Sequence, residues 1–325
     1  MTLRIGIAGT GGFAKVHAER LTRIDGVQVA AFVGSTKAKA EALAAGFGDA
    51  RGYGAMVDML DGERLDAVYL CVPPMAHGEM ERQLIERGIP FMVEKPLGLD
   101  AALPKELRDR ILDRGLITSV GYHFRYRTTT ERLRELLASR TIGMATGGWM
   151  GGMPGVPWWR SMQGSGGQFV EQTTHLVDLL RYAAGEVDEV YAAYGSRAMH
   201  ERHENVTVPD VGSVVLKLRS GAVATLSNTC LLPWDAGSVQ LSFYTPEGRL
   251  DWTPAGLVAI GGGSRSEFSD KVDPYALENE AFLHAVRTGD TSRIRSDYAD
   301  AYRTQAVTAA ANESAASGAP VKVQY

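Results

Sequence analysis

The sequence predicts an α/β protein in two parts: a parallel sheet with helices on both faces over residues 1–121, then an α+β domain with a largely antiparallel sheet over 122–325. Three observations carry this. At 325 residues the chain is long for one domain. Up to Gly121, short β-type runs alternate with amphipathic helical stretches, the pattern of strands joined by crossover helices. Beyond Tyr122 the character changes to a glycine-heavy stretch, one helix, and a series of strand-like segments.

In the first part, strands are expected over residues 3–8, 27–33, 65–72, 90–94 and 117–120, with helices over 15–23, 37–45, 78–87 and 104–114. The last of these helices begins at Pro104, a favourable first-turn residue, and stops at Gly115. Residues 143–167 hold nine glycines and the bulky run Pro157-Trp158-Trp159-Arg160, which reads as a loop that forms or covers a site. A single helix follows over 168–184 and ends at Gly185. Strands then fall near 187–196, 211–218, 223–230, 239–245 and 250–252. Side chains in Val239-Gln240-Leu241-Ser242-Phe243-Tyr244 alternate as they do in a sheet with one packed face. Helices over 277–287 and 298–317 close the chain.

Composition narrows the function. Hydrophobic residues make up 45% and charged residues 22%, enough for a sizeable core. The 34 basic and 38 acidic residues leave a net charge of -4 with no basic run, so neither nucleic acid nor a membrane surface is an expected partner, and a small molecule is. Two cysteines, Cys71 and Cys230, with no disulfide framework, no zinc-type spacing and no leader or spanning segment, make a reducing cytoplasmic setting the expectation.

The first chemical signal is the expected strand 3–8 followed by Gly9-Thr10-Gly11-Gly12-Phe13-Ala14 and a helix. Small residues at Gly9, Gly11 and Ala14 permit a tight turn and let backbone approach a pyrophosphate at a helix N-terminus. An NAD site usually ends its second strand with a carboxylate for the ribose hydroxyls. Here that place is Gly34, followed by Ser35, Thr36 and Lys37, which favours NADP(H) while leaving NAD(H) open. The same three residues also suit a plain helix cap. Val72-Pro73-Pro74 turns the chain outward at the end of the next strand, and His77 beyond it is a candidate ribose contact or helix start.

Glu94-Lys95-Pro96 closes the run Phe91-Met92-Val93, which puts Lys95 at the carboxyl edge of the sheet, where open α/β sheets bind ligands. In the second part, Glu171, His175, Asp178 and Tyr182 stand at offsets 0, 4, 7 and 11, one face of a continuous helix. His175 is the candidate general base and Glu171 its orienting partner. His200-Glu201-Arg202-His203-Glu204 lacks a helical zinc frame and reads as a solvated turn, so no metal is expected. Gly121-Tyr122-His123-Phe124-Arg125-Tyr126 lies at the expected domain junction.

These residues together resemble the Gfo/Idh/MocA family of NAD(P)-dependent oxidoreductases. The likeness rests on the Gly9–Ala14 turn, Val72-Pro73-Pro74 with His77, Glu94-Lys95-Pro96-Leu97, the helix carrying His175, and Glu278-Asn279-Glu280-Ala281-Phe282. It implies a Rossmann domain joined to an α+β domain with an open sheet that often serves in dimer or tetramer formation. It also implies that Lys95 and His175 are the catalytic lysine and histidine. Glu171 stands where the family usually has an aspartate. The expected reaction is hydride transfer between the nicotinamide and a secondary alcohol of a sugar, polyol or related cyclic compound. The cofactor contacts would run from the glycine turn through Ser35, Thr36, Lys37, Val72, Pro73, Pro74 and His77 to Glu94 and Lys95. Tyr122, His123, Trp158, Arg160 and Asp178 are candidates for the substrate wall. Relatives that hydrolyse glycosides or dehydrate through transient oxidation, or that sense NAD(P) without turnover, supply the alternative readings.

Overall fold

The structure, a computed structural model, describes residues 2–325. Along the first stretch the elements are β1 (Leu3–Ala8), α1 (Gly12–Leu21), β2 (Val27–Val33), α2 (Lys37–Ala44), β3 (Arg51–Tyr53), α3 (Met56–Gly62), β4 (Ala67–Leu70), α4 (Glu79–Arg87), β5 (Phe91–Val93), α5 (Ala102–Arg114) and β6 (Thr118–Val120). The six strands form one parallel sheet in the order β3-β2-β1-β4-β5-β6. The order reverses between β1 and β4, which opens a crevice at their carboxyl ends. Every residue of β4 and β5 is buried, as strands covered on both faces require. Ile5, Ile7, Phe32, Tyr69 and Met92 centre the core, each contributing roughly 1.5–3 kcal/mol through burial.

The strand β3 and helix α3 are absent from the expected pattern. Arg51-Gly52-Tyr53 is a short edge strand with an exposed arginine, so it has no apolar run to reveal it. Gly52 lies so close to α2 that a Cβ there would stand 2.2 Å from the Glu41 amide nitrogen.

The chain continues through α6 (Thr128–Leu137), β7 (Met144–Met150), α7 (Met162–Ser165), α8 (Gln168–Glu171), α9 (Thr174–Ala184), β8 (Val187–Gly195), α10 (Met199–Arg202), β9 (Val211–Leu218), β10 (Val223–Thr229), β11 (Ser238–Thr245), β12 (Gly248–Thr253), β13 (Gly256–Gly261) and β14 (Ser264–Ser269). It ends with α11 (Pro274–Thr288), α12 (Tyr298–Ser317) and β15 (Val321–Lys322). Nine strands form an open sheet in the order β14-β13-β12-β11-β7-β10-β9-β8-β15. Its pairs are antiparallel except β7 with β10.

Two expectations are corrected by this sheet and its helices. Residues 144–150, read as part of a loop, are a central strand. Gly147 and Gly148 are bare because the neighbouring strands crowd them: a Cβ would meet Gln240 O at 2.5 Å and Ser227 O at 2.6 Å respectively. The single helix over 168–184 is two helices. The Gln168 carbonyl accepts amides from both Gln172 and Thr173, and the next amides step back only three residues, which resets the winding before His175.

The division into units also differs from two contiguous stretches. One compact unit comprises residues 1–97, 102–123 and 273–301; the other comprises 98–101, 124–272 and 302–325. Residues 273–301 rejoin the first unit because α11 closes its core. Phe282 packs edge-on to Tyr69 at 5.5 Å, and Arg20 of α1 bonds Asp273 at 2.9 Å. Among the described residues no helix is long and apolar enough to cross a membrane.

Candidate active site

The crevice of the first unit is built around bare backbone. Gly9 adopts φ +120°, and a Cβ there would stand 2.2 Å from the Cys71 carbonyl oxygen, so this turn admits only glycine. Gly11 and Gly12 have open space where a Cβ would stand. Gly11 is the N-cap of α1, no side chain caps that helix, and its first turn holds no acid. Its first amides therefore present a positive helix end to an anion that approaches closely. Thr10 borders the turn, Phe13 is 45% exposed, and buried Ala14 seats α1 on the sheet. This geometry fits a dinucleotide pyrophosphate.

At the end of β2, a Cβ on Gly34 would come within 3.0 Å of both the Thr10 methyl and the Thr36 carbonyl. A side chain there would have to push these neighbours back by a few tenths of an ångström. Ser35, Thr36 and Lys37 are all exposed. Thr36 caps α2 by accepting the Lys39 amide at 3.3 Å, and Lys37 pairs with Glu41 at 3.6 Å, so the capping reading holds for Thr36. Lys39 donates from Nζ to Ser35 Oγ at 3.3 Å. Lys39 is not among the expected cofactor contacts, although its place in the first turn of a helix starting at Lys37 is legible in the sequence.

Val72 and Pro73 are half-buried, and Pro74 opens a short turn over Pro74–Ala76. His77, expected as a ribose contact or helix start, stands just before the N-cap of α4 and is buried, with Nδ1 2.5 Å from the Glu81 carboxylate, which also accepts the Gly78 amide at 2.7 Å. Burial alone would raise the Glu81 carboxyl; the His77 charge and these hydrogen bonds reverse that and hold it below its ordinary range. Glu94 is also buried, its Oε1 2.9 Å from His17 Nε2. Lys95, half-buried, follows at the carboxyl end of β5 and is joined to Pro96 by a cis peptide. Tyr122, expected in the substrate wall, is fully buried in this unit, and His123 is buried and stacked on Tyr275 at 4.3 Å.

In the second unit, His175 lies in the first turn of α9, 4% exposed, its ring 5.0 Å from that of Phe124 and 5.9 Å from that of Trp149. Glu171 belongs to the preceding helix and accepts the Trp159 indole N–H at 2.8 Å. Trp159, one of the bulky run at 157–160, thus helps to hold Glu171. Asp178 is fully buried, bonded by both nitrogens of the Arg125 fork at 2.7 and 2.6 Å and by Thr304 Oγ1 at 2.9 Å. It anchors the fold and is corrected as a substrate-wall candidate. Tyr182 lies beneath the Arg125 and Arg134 guanidinium groups. The expected polar stripe is therefore divided among separate tasks. Trp158 packs half-buried beside the Met153, Trp159 and Cys230 cluster, and the half-buried Arg160 accepts the Thr207 and Val208 amides through its carbonyl.

Residues 3–122 match the model of an oxidoreductase family with an NAD-binding Rossmann fold, named GFO_IDH_MocA. Residues 130–251 match the GFO/IDH/MocA C-terminal domain. The chain belongs to the Gfo/Idh/MocA family of oxidoreductases. Among Gfo/Idh/MocA relatives, it is 28% identical to a D-xylose 1-dehydrogenase (NADP(+)) of Haloferax volcanii, across 99% of this chain and all of the relative. It is 26% identical to an inositol 2-dehydrogenase of Rhizobium meliloti, across 89% and 90% of the two chains. In fold it is similar to a levoglucosan dehydrogenase solved with NADH and L-sorbose, at TM-score 0.89 and 18% identity over the whole of both chains.

Proposed function

We propose that this protein oxidises and reduces a secondary alcohol of a sugar or polyol with NADP(H), with NAD(H) as the weaker alternative. The observation that carries the reading is the uncapped, side-chain-free turn at Gly9, Gly11 and Gly12, with Lys95 at the carboxyl edge of the same sheet. A bound nicotinamide cofactor supplies the hydride acceptor or donor. His175 takes the proton of the reacting hydroxyl. Lys95 stabilises the charge developing on that oxygen, a preplaced cation needing no reorganisation during reaction. Glu171, held by Trp159, orients the substrate by accepting from a neighbouring hydroxyl, and Trp158 with Arg160 offers an aromatic face and a cation for a sugar ring or its carboxylate. The names of the xylose and inositol relatives support the substrate class.

The test is a screen of D-xylose, myo-inositol and further sugars and polyols by nicotinamide absorbance, with each cofactor in turn. On the best substrate, Lys95→Ala and His175→Ala should each lower kcat by about 10²–10⁴-fold, while reduced-cofactor affinity, read by fluorescence titration, stays within about threefold. Undiminished turnover in both variants would sink the reading.

The NADP(H) preference rests on Gly34 and on the Ser35–Lys39 pair, which offers a hydroxyl and a cation to a ribose phosphate. Lys39→Glu should weaken NADPH binding about tenfold or more, equivalent to about 1.4 kcal/mol, and leave NADH binding unchanged. Equal losses for both cofactors would remove Lys39 from phosphate recognition.

A further inference from the structure

Glu94, the residue before Lys95, joins a buried polar cluster drawn from three distant parts of the sequence. His17, on the same buried side of α1 as Ala14, is fully inaccessible. Its Nε2 stands 2.9 Å from Glu94 Oε1 and its Nδ1 stands 2.9 Å from Asn279 Oδ1 on α11. The Tyr69 ring lies 5.4 Å from the imidazole and the Tyr275 ring 6.2 Å away, edge-on. Glu94 is confined on its other side by Gly121, where a Cβ would stand 2.7 Å from Glu94 Oε2.

A buried carboxylate is costly unless hydrogen-bonded. The imidazole meets that need in either orientation of the Asn279 amide, an orientation that hydrogen-bond logic assigns. With the amide oxygen toward Nδ1, the ring donates at Nδ1, and imidazole and carboxyl share the hydrogen between Nε2 and Oε1. With the amide nitrogen toward Nδ1, the ring accepts there and donates at Nε2. In both orientations one hydrogen joins Nε2 to Glu94 Oε1. The Asn279 Nδ2 atom is buried without a partner in the first orientation and gains one in the second.

We propose that His17 is a positioning residue for Lys95: its imidazole, held by Asn279, clamps the Glu94 carboxylate and so fixes the strand end that carries the lysine. The same ring ties that strand end to the helix that begins at the glycine turn, so both halves of the site in this unit share one support. The proposal gives Lys95 its purpose from the dehydrogenase reading above, but its test is independent of turnover.

The experiment is trace acetylation of the full-length protein with acetic anhydride, scored by peptide mass spectrometry as Lys95 labelling relative to exposed Lys105 of α5. His17→Leu should change that ratio by about threefold or more, the scale of coupling between residues in contact. His17→Gln, which retains an N–H for Glu94, should restore it. Glu94→Gln keeps the shape but not the charge and should change the ratio as His17→Leu does, which keeps the test decisive if the leucine variant does not fold. A ratio unmoved in the folded His17→Leu and Glu94→Gln proteins, or moved equally by His17→Leu and His17→Gln, overturns the proposal. Lys95→Ala with full turnover would instead sink the reaction assigned to Lys95 and leave the His17 link standing.

Discussion

Gly9 and Gly11 are glycine for different reasons, and the difference is measurable. Gly9→Ala forces a side chain into a left-handed backbone, costing about 1–2 kcal/mol, and drives it against the Cys71 carbonyl, so its melting temperature should fall. Gly11→Ala meets open space at φ -82° and should change stability by less than about 0.5 kcal/mol, yet its methyl stands where the pyrophosphate approaches. NADPH titration of that variant should show a weakened site in a normally folded protein; native affinity would move the phosphate elsewhere. Such residues were legible because the constraint is local, a turn and a helix start within six positions. His17, Trp159 and the inward turn of Glu94 and Asp178 were not. Glu94 meets His17 across 77 positions and Asp178 meets Arg125 across 53, and no spacing rule reaches so far.

At the scale of elements, α9 is fastened at its last turn by charge. Arg181 grips Glu186 through two bonds of 2.9 Å and reaches Thr304 of α12 at 2.6 Å, while Arg303 of α12 bonds the same carboxylate at 3.0 Å. Burial would raise the Glu186 carboxyl, but the Arg181 hydrogen bonds and charge, helped by Arg303, overcome it and bring it to about 2, against an ordinary 4.5. The unfolded chain takes up this proton near the ordinary value and the folded one near 2. The stabilisation is therefore complete above about pH 4.5 and lost as pH falls toward 2. Glu186→Gln should lower the melting temperature at neutral pH and lose part of the acid sensitivity between those values; parallel melting curves for both proteins would refute the assignment. Strands with apolar alternation, such as β9 and β11, were readable from the sequence. The strand β7 was not, because close neighbours demand Gly147 and Gly148, and the glycines imitate a loop. The break before α9 was hidden too, since it depends on the Gln168 carbonyl serving two amides and on its side chain reaching the Thr229 carbonyl and Asn228 of β10.

At the scale of the whole molecule, the open nine-stranded sheet leaves one face with a patch that argues for self-association. Tyr191 of β8 pairs with Val215 of β9; Lys217, two residues along β9, pairs with Val223 of β10, which pairs with Met144 of β7. Side chains alternate across a strand, so these registers put all four apolar residues on one face. They are 45%, 42%, 42% and 45% exposed in the order Tyr191, Val215, Val223, Met144. The alternating residues Val214, Leu216 and Ala224 are buried on the opposite face, which the helices of the same unit cover. Exposed apolar side chains gathered on one sheet face suit an association surface, and a stable one covers about 800 Å² on each partner. The homodimer or homotetramer that the family resemblance implies would bury this face. Light scattering coupled to size exclusion should give a multiple of the 35.1 kDa chain. Val215→Lys with Val223→Lys should shift it toward the monomer through repulsion between partners, without a matching loss of folded signal, because both side chains already face solvent within their own chain. A wild-type protein that stays monomeric at micromolar concentration would leave the patch without this partner.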